Sequence, residues 1–355
     1  MPKFHTLQVA DVRRETDSCV SVELTIPAEL QEVFSFEAGQ YLTLRATING
    51  KEARRSYSLC SAPHEGEWRV AIKHVEEGLF STFANETLAV GDTLEVMPPM
   101  GSFNAPPTRV SRVLLFAAGS GITPIISIAK TILERDTEAQ ITLFYGNRSS
   151  RDIIFQEELE GLKNTHLTRF SLYHVLSREH LGTELFYGRI DAEKCTAFAK
   201  TLFDPSTIDE AYLCGPEPMI RAVSEALEQA GLHKDSIHFE LFGAPTTALS
   251  QPAVVRPARK RADLSKVAIT ADGATTTIDM LDDGSHLLEA GLSYGLDLPF
   301  ACKGGVCSTC KCRVLEGELL MDVNYALEPE EVEAGYVLSC QARPISERAA
   351  VTFDV

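Results

Sequence analysis

The first hundred residues of the chain are dominated by short segments in which apolar and polar positions alternate. Residues 20–26 alternate with a period of two, and turns rich in Gly, Pro and Asn separate them from similar segments at 41–45, 68–73 and 93–96. Alternation of this kind turns one face of each strand toward a core. Short strands at this spacing predict a small antiparallel β-barrel over residues 1–108.

Between residues 109 and 243, continuous apolar runs replace this alternation. Residues 113–118 read Val-Leu-Leu-Phe-Ala-Ala, which is typical of a strand buried on both faces. Strands are also predicted at 141–145, 167–176, 211–214 and 237–242, with helices after residue 121 and at 153–162 and 218–227. This order predicts an open parallel α/β sheet, whose ligands belong at the carboxyl ends of its strands.

Residues 244–263 follow neither pattern. They are rich in Pro, Ala and Thr without periodicity, which predicts a linker between the α/β domain and a further domain at 264–355. The linker contains a basic patch of four residues, Arg256, Arg259, Lys260 and Arg261. These side chains either attract an anion or an acidic domain, or they keep a tether solvated.

Four cysteines in the last domain point to a metal cluster. Three belong to the run Pro-Phe-Ala-Cys-Lys-Gly-Gly-Val-Cys-Ser-Thr-Cys, and the fourth follows much later; they are Cys302, Cys307, Cys310 and Cys340. The spacing C-x4-C-x2-C with a distant fourth Cys is that of a plant-type [2Fe–2S] cluster. The glycines of the run allow backbone amides to turn toward the cluster without a Cβ clash.

Zinc and disulfide bonds are the alternative uses of these cysteines. Zinc sites usually pair two short Cys hairpins, whereas here three cysteines share one loop and the fourth comes alone from a strand end. Cys312 forms a further C-x-C with Cys310, so an exchange of ligands is conceivable. Its place in an alternating segment fits a small core residue better.

The net charge of the chain limits the classes of molecule that it is expected to bind. The chain has a net charge of −17, and residues 264–355 hold 15 acids against 6 bases. Nucleic acid is not an expected partner, because phosphates require a basic footprint. The acidic surface either steers a redox carrier toward a basic partner or serves solubility.

Hydropathy and cysteine usage together predict the cellular compartment of the protein. No apolar run approaches the roughly 20 residues that cross a bilayer, and the first residues lack a hydrophobic signal segment. The five cysteines outside the cluster have no regular spacing, as expected of thiols in a reducing environment. A cytoplasmic protein without a membrane partner is therefore expected.

Two motifs in the barrel predict a flavin site. Arg55 offers a planar fork to a diphosphate, Tyr57 a flat face to an isoalloxazine ring, and Ser58 a hydroxyl that can reach a flavin nitrogen. Downstream, Gly78 and Ser81 open a predicted helix whose first amides can bind phosphate. A diphosphate site of this kind predicts FAD, since FMN would leave it empty.

Two further motifs predict a nicotinamide nucleotide site on the α/β sheet. The loop from Gly119 to Pro124 reads Gly-Ser-Gly-Ile-Thr-Pro, between an apolar strand and a helix. It departs from the dinucleotide fingerprint by a proline at the third glycine position, which the first turn of a helix tolerates. Gly215, after a later strand, would let the backbone approach a nicotinamide, and Cys214 would pack against it.

The choice between NADPH and NADH depends on the end of the second α/β strand. An NAD-specific site usually carries a carboxylate there, whereas arginine accommodates a 2′-phosphate. The chain reads Asn-Arg-Ser-Ser-Arg before its first acid, Asp152. Arg148 or Arg151 could therefore bind the phosphate of NADPH, with use of NADH as the alternative.

These motifs, in this order, resemble the ferredoxin–NADP reductase superfamily fused to a C-terminal plant-type ferredoxin. The resemblance implies a flavin barrel, a nucleotide-binding α/β domain and a β-grasp ferredoxin domain. It places Tyr57, Ser58, Cys214 and Glu240 at the reaction centre. The remaining implied cofactor contacts are Arg55, Gly78, Ser81, Gly119, Gly121, Thr123, Gly215 and Phe242.

The resemblance also implies an activity. Electrons would pass from NAD(P)H to FAD, then singly to the [2Fe–2S] cluster, and on to iron-containing subunits of a multicomponent oxygenase. The ferredoxin half resembles most the reductase subunits of phenylacetyl-CoA epoxidases, which serve aerobic phenylacetate degradation. Reductases of steroid and other ring hydroxylases, and reductases of the hybrid-cluster, nitric oxide or ferric type, are the alternatives. An electron-transfer subunit with a degenerate nucleotide site is disfavoured by the intact loops.

Overall fold

The computed structural model describes residues 3–106, 108–242, 264–281 and 283–355. The chain divides into two compact units. One consists of residues 5–53 and 57–242, and the described part of the other consists of residues 3–4, 54–56, 264–281 and 283–355. The predicted linker at 244–263 lies outside the described residues, and the predicted domain boundaries stay predictions.

The N-terminal residues form a six-stranded sheet in the order β4-β3-β6-β1-β2-β5. Its strands are β1 His5–Thr16, β2 Cys19–Thr25, β3 Tyr41–Ile48, β4 Lys51–Ser58, β5 Trp68–Lys73 and β6 Thr93–Val96, and helix α1 is Leu79–Glu86. Leu59, after β4, forms an antiparallel bridge with Val70 of β5, and the Cys60 amide donates to the Arg69 carbonyl at 2.8 Å. These contacts join the two edges of the sheet and close the predicted barrel.

The next residues form a five-stranded parallel sheet in the order β11-β10-β7-β8-β9. Its strands are β7 Arg112–Ala118, β8 Gln140–Asn147, β9 Phe170–Leu176, β10 Glu210–Cys214 and β11 Ile237–Glu240, and its helices are α2 Ile122–Arg135, α3 Gln156–Thr165, α4 Ala192–Thr201 and α5 Glu217–Gln229. The chain runs outward from β7 to β9 and then returns to β10 on the other side of β7. The strand order therefore reverses between β7 and β10, where such sheets bind ligands.

The barrel has a hydrophobic core of its own and also contributes residues to the core of the parallel sheet. Cys19 and Cys60 of the barrel are buried together with Ile125 and other apolar residues of α2. The buried Ser127 hydroxyl on α2 donates to the Ser61 carbonyl at 2.6 Å. These contacts pack the barrel against the first helix of the parallel sheet.

The C-terminal residues form a β-grasp fold. The main sheet has the order β13-β12-β18-β14-β16, with β12 and β18 parallel. The strands are β12 Leu264–Ala271, β13 Ala274–Leu281, β14 Lys311–Glu316, β15 Leu319–Met321, β16 Tyr336–Leu338, β17 Ala342–Pro344 and β18 Arg348–Thr352, and the helices are α6 Leu287–Ser293 and α7 Pro329–Glu333. Leu288 of α6 is buried against the sheet with Val267 and Val351.

The predicted fold class is confirmed, and some element boundaries differ. The helix predicted at 153–162 begins later, at Gln156, because Ser149 and Asp152 form a capped turn and Phe155 has a left-handed backbone with φ 61°. The strand predicted at 237–242 ends at Glu240. Among the described residues, no helix is both long and apolar enough to span a membrane.

Candidate cofactor-binding sites

The carboxyl ends of β7 and β10 lie in direct backbone contact. A Cβ atom on Gly121 would lie 2.1 Å from the Cys214 carbonyl oxygen and 2.9 Å from the Gly215 nitrogen. A Cβ on Gly215 would in turn lie 2.7 Å from Met219 Cε and 3.1 Å from Ala118 Cβ. The two glycines therefore permit the approach that brings both nucleotide motifs to one point.

The loop between β7 and α2 is held by polar contacts. Gly119 has φ +55°, and its carbonyl accepts a hydrogen bond from the Tyr145 hydroxyl at 2.9 Å. The buried Thr123 hydroxyl donates to the Ser120 carbonyl at 3.1 Å. Pro124 lies in the first turn of α2, as predicted. At the start of this 14-residue helix the Ile122 amide donates to the Gly119 and Ser120 carbonyls, and Pro124 has no amide proton.

Cys214 ends β10 and is fully buried. Burial raises the pKa of its thiol well above the usual range, and the carboxyl of its register partner Glu240 acts in the same direction. The side chain is therefore a neutral thiol, which can pack against a ring but cannot act as a thiolate nucleophile at neutral pH.

Ser58 and Glu240 form a hydrogen-bonded pair that joins the barrel to β11. The Ser58 hydroxyl donates to Glu240 Oε2 at 3.1 Å, and Ser58 is buried. Burial raises the pKa of Glu240 to about 8, although the bond from Ser58 acts against this. At neutral pH Glu240 is thus largely a neutral acid that can donate a hydrogen bond. Phe242 follows two residues later with 45% of its surface exposed.

The aromatic and basic residues of the flavin motif lie on β4. Tyr57 is half-buried, and its ring centroid lies 5.7 Å from that of Phe80 on α1. Arg55 is exposed, and its guanidinium donates to the carbonyl of the preceding residue at 2.7 Å. A half-buried tyrosine supported by a second ring fits the face of a flavin.

Gly78 and Ser81 form the turn that begins α1. The Ser81 hydroxyl accepts from the Val75 amide at 3.1 Å and donates to the Gly78 carbonyl at 3.1 Å. A Cβ on Gly78 would lie 2.5 Å from Ser81 Oγ. The hydroxyl thus shapes the turn, and the donors left for a phosphate are the first amides of α1.

The loop after β8 contains both predicted arginines. Arg148 and Arg151 are exposed. The serines between them bond to carboxylates: Ser149 Oγ donates to Asp152 at 2.7 Å, and Ser150 Oγ donates to Glu179 at 2.9 Å. The role predicted for the two arginines stays a prediction, and the sequence did not reveal that both serine hydroxyls are already engaged.

Three residues near these loops were missed by the sequence reasoning. Lys73 Nζ lies 3.6 Å from the position that a Cβ on Gly119 would occupy. Asn147, at the end of β8, is 8% exposed, and neither atom of its side-chain amide has a hydrogen-bond partner among the described residues. Glu179 reaches the loop from the segment after β9. A buried amide without a partner costs free energy, so Asn147 has donor and acceptor capacity for a ligand or water.

The four predicted ligand cysteines form two pairs. The Cys307 and Cys302 sulfur atoms lie 3.1 Å apart, and the thiols of Cys310 and Cys340 also interact with each other. The amide of Gly304 donates to Cys302 Sγ at 3.3 Å. The Gln341 side chain donates to the Lys303 carbonyl at 3.1 Å, which ties the cysteine loop to the strand end that carries Cys340.

The two pairs of thiols match the ligands that a four-cysteine [2Fe–2S] cluster takes. No group of three His, Cys, Asp or Glu side chains in the described part of the chain could surround a single metal ion. A [2Fe–2S] cluster with four cysteines requires only two thiolates at each iron. All nine cysteines are free rather than joined in disulfide bonds, and Cys312 is buried in the core on β14.

Three family models match the chain in succession. An oxidoreductase FAD-binding domain covers residues 7–105, an oxidoreductase NAD-binding domain covers 115–225, and a 2Fe-2S iron-sulfur cluster binding domain covers 269–344. The chain is also similar to phthalate dioxygenase reductase, with a TM-score of 0.60, 23% identity and coverage of 99% of this chain and 98% of that one. This likeness supports the fold.

Two curated relatives extend over nearly the whole chain. A 1,2-phenylacetyl-CoA epoxidase subunit from Escherichia coli (strain K12) is 44% identical, over 100% of this chain and 99% of its own length. The ferredoxin reductase component of 3-ketosteroid-9-alpha-monooxygenase from Rhodococcus rhodochrous is 34% identical, over 98% of this chain and 96% of its own length. The chain therefore belongs to the family of oxidoreductases that join FAD-binding, NAD-binding and [2Fe–2S] domains in one polypeptide.

Proposed function

We propose that the chain is the reductase subunit of a phenylacetyl-CoA epoxidase in aerobic phenylacetate degradation. It would take electrons from NADPH and deliver them to iron-containing oxygenase subunits. The observation that carries this proposal is the 44% identity to a subunit of such an epoxidase over the full length of both chains. The nine free cysteines agree with a cytoplasmic location.

The two bound cofactors would each carry out one part of the electron transfer. Bound FAD can accept a hydride and release electrons one at a time, and a [2Fe–2S] cluster carries single electrons. The chain would bind and orient these groups. Arg55 and the first amides of α1 would bind the FAD diphosphate, Tyr57 would stack on the flavin ring, and the cysteine pairs would hold the cluster.

Ser58 and Glu240 would hold a hydrogen-bond position at the flavin ring. The two side chains are linked at 3.1 Å, and burial keeps Glu240 largely protonated at neutral pH. Because the Ser58 hydroxyl donates its one proton to Glu240, the proton of the neutral acid is the donor that remains for a ring nitrogen, and it adds no buried charge. Cys214, whose pKa is also raised by burial, would border the nicotinamide as an uncharged side chain.

The nucleotide would lie over the junction of β7 and β10. Gly121 and Gly215 let the two turns meet beneath it, and Thr123 bonds to the Ser120 carbonyl within the loop that would face the pyrophosphate. Arg148 and Arg151 would bind the 2′-phosphate of NADPH. Lys73 supplies a cation beside Gly119, and Asn147 supplies an amide at the end of β8, directly before Arg148.

A steroid oxygenase is the second candidate acceptor, because the 3-ketosteroid reductase component is 34% identical over nearly the whole chain. The two acceptors can be distinguished directly. We expect the purified chain to support turnover of phenylacetyl-CoA by the oxygenase subunits of the epoxidase, measured as product formed per NADPH oxidised. Efficient coupling to the steroid oxygenase, with none to the epoxidase, would reject our assignment.

Replacement of single cysteines should separate ligands from core residues. Cys302→Ser removes one thiolate from a pair, so we expect loss of nearly all of the electron paramagnetic resonance signal of the reduced cluster, while NADPH still reduces the flavin. Cys312→Ser is the matched control and should retain the signal. A cluster destroyed by Cys312→Ser and retained in Cys302→Ser would contradict the ligand set.

The raised pKa of Glu240 predicts a pH-dependent stability. The folded state keeps its proton up to a pKa of about 8, whereas the ordinary value is 4.5. The folded state thus binds more protons between these values, and stability falls as pH rises through this window. Glu240→Gln should remove this loss, so its melting temperature should rise relative to wild type between pH 5 and pH 8.5. The exposed Glu228→Gln serves as the control, and parallel pH profiles for wild type and Glu240→Gln would contradict the shift.

The two arginines of the β8 loop should discriminate between the cofactors. A charge-assisted hydrogen bond contributes about 1.5–3 kcal/mol, so Arg148→Ala with Arg151→Ala should lower kcat/KM for NADPH about 10- to 100-fold, mainly through KM. The value for NADH should change little. Steady-state kinetics with a dye acceptor measure both, with the exposed Arg189→Ala as control. An equal loss with both cofactors would show that the arginines bind the pyrophosphate or support the fold.

A further inference from the structure

The loop after β8 is held against the loop after β9 by backbone hydrogen bonds. The Ser177 amide donates to the Asn147 carbonyl at 3.0 Å, and the Arg178 amide donates to the Arg148 carbonyl at 2.8 Å. This continues the ladder between the two strands beyond their ends. The next residue, Glu179, is thereby placed beside Ser150.

Glu179 accepts hydrogen bonds from both donors of Ser150, the backbone amide and the side-chain hydroxyl. Its Oε2 atom accepts from the Ser150 amide at 2.7 Å and from the Ser150 hydroxyl at 2.9 Å. These bonds, together with the charge of Arg151, hold the pKa of the Glu179 carboxyl below its usual range. The side chain is therefore a carboxylate at neutral pH, in the loop where a 2′-phosphate would have to bind.

Asp152, the other acid near these serines, lies in the same turn as the serine that it contacts, unlike Glu179. Asp152 belongs to the same turn as Ser149, with its Oδ2 atom 2.7 Å from the hydroxyl and 3.1 Å from the amide. It caps that turn and is part of the local backbone structure. Glu179 comes from a neighbouring loop, so its side chain can rotate away without breaking the turn.

A carboxylate at this position would weaken the binding of NADPH and would not weaken that of NADH. A phosphate monoester carries a charge of about −1.5 to −2 at neutral pH, so the 2′-phosphate of NADPH would meet repulsion and competition for Ser150. The 2′-hydroxyl of NADH is neutral and can donate a hydrogen bond to the same carboxylate. The loop thus combines arginines that favour NADPH with an acid that favours NADH.

We infer that Glu179 is a specificity-determining residue that limits the preference for NADPH by placing a negative charge beside Ser150. The inference rests on the proposed nucleotide site in this loop. It assigns the discrimination to a balance between Glu179 and the two arginines rather than to the arginines alone.

Glu179→Gln in the FAD-loaded full chain tests this inference. Glutamine keeps an oxygen that can accept from Ser150 and removes only the charge. We expect kcat/KM for NADPH to rise roughly three- to tenfold through a lower KM, because the repulsion between the carboxylate and the 2′-phosphate is removed. The value for NADH should change by less than about twofold, because the glutamine oxygen can still accept from its 2′-hydroxyl. Glu184→Gln, an exposed acid five residues further along, is the control for net charge.

Binding of nucleotide fragments separates affinity from turnover. The dissociation constant of 2′,5′-ADP should fall in Glu179→Gln by a similar factor, whereas that of 5′-AMP should not change. An unchanged ratio between the two cofactors, or an equal change with both, would overturn the role of Glu179. The NADPH proposal is decided separately, by the cofactor ratio of the wild-type protein and by the arginine variants.

Discussion

The backbone contact between Gly121 and Cys214 is the constraint on which the nucleotide site depends. Any side chain larger than hydrogen at Gly121 would meet the Cys214 carbonyl at 2.1 Å, well inside van der Waals contact. Two turns that are almost a hundred residues apart in the sequence therefore form one surface. Because Glu240 pairs in register with Cys214 and bonds to Ser58, the same contact aligns the nucleotide loops with the flavin motif of the barrel.

Uncharged side chains dominate the junction between the two nucleotide-binding motifs. Burial keeps the Cys214 thiol protonated and raises the pKa of Glu240 to about 8. A site through which a hydride passes gains from this, since a buried charge beside the ring would favour one redox state over the other. The charged groups lie at the periphery instead, with Lys73 beside Gly119 and the arginines after β8.

The sequence predicted the architecture, which the structure confirms, and it proposed most residues of the candidate site, because both depend on local signals. The strand at Trp68–Lys73, the apolar run of β7 and the glycine loop were each visible in a few consecutive residues. Glu179, Lys73 and Asn147 were not predicted, because their relevance arises from contacts between distant segments. Ser81 looked like a phosphate ligand, and only its bonds to Val75 and Gly78 revealed that it shapes the turn.

The arrangement of the four cluster cysteines also bears on folding. Cys340 follows Cys310 by 30 residues, yet the two thiols form one pair. A metal cluster that binds this folded arrangement of thiols, and not the unfolded chain, would stabilise the domain by its own binding free energy. Supply of iron and sulfide would therefore govern the amount of folded domain as well as its ability to carry electrons.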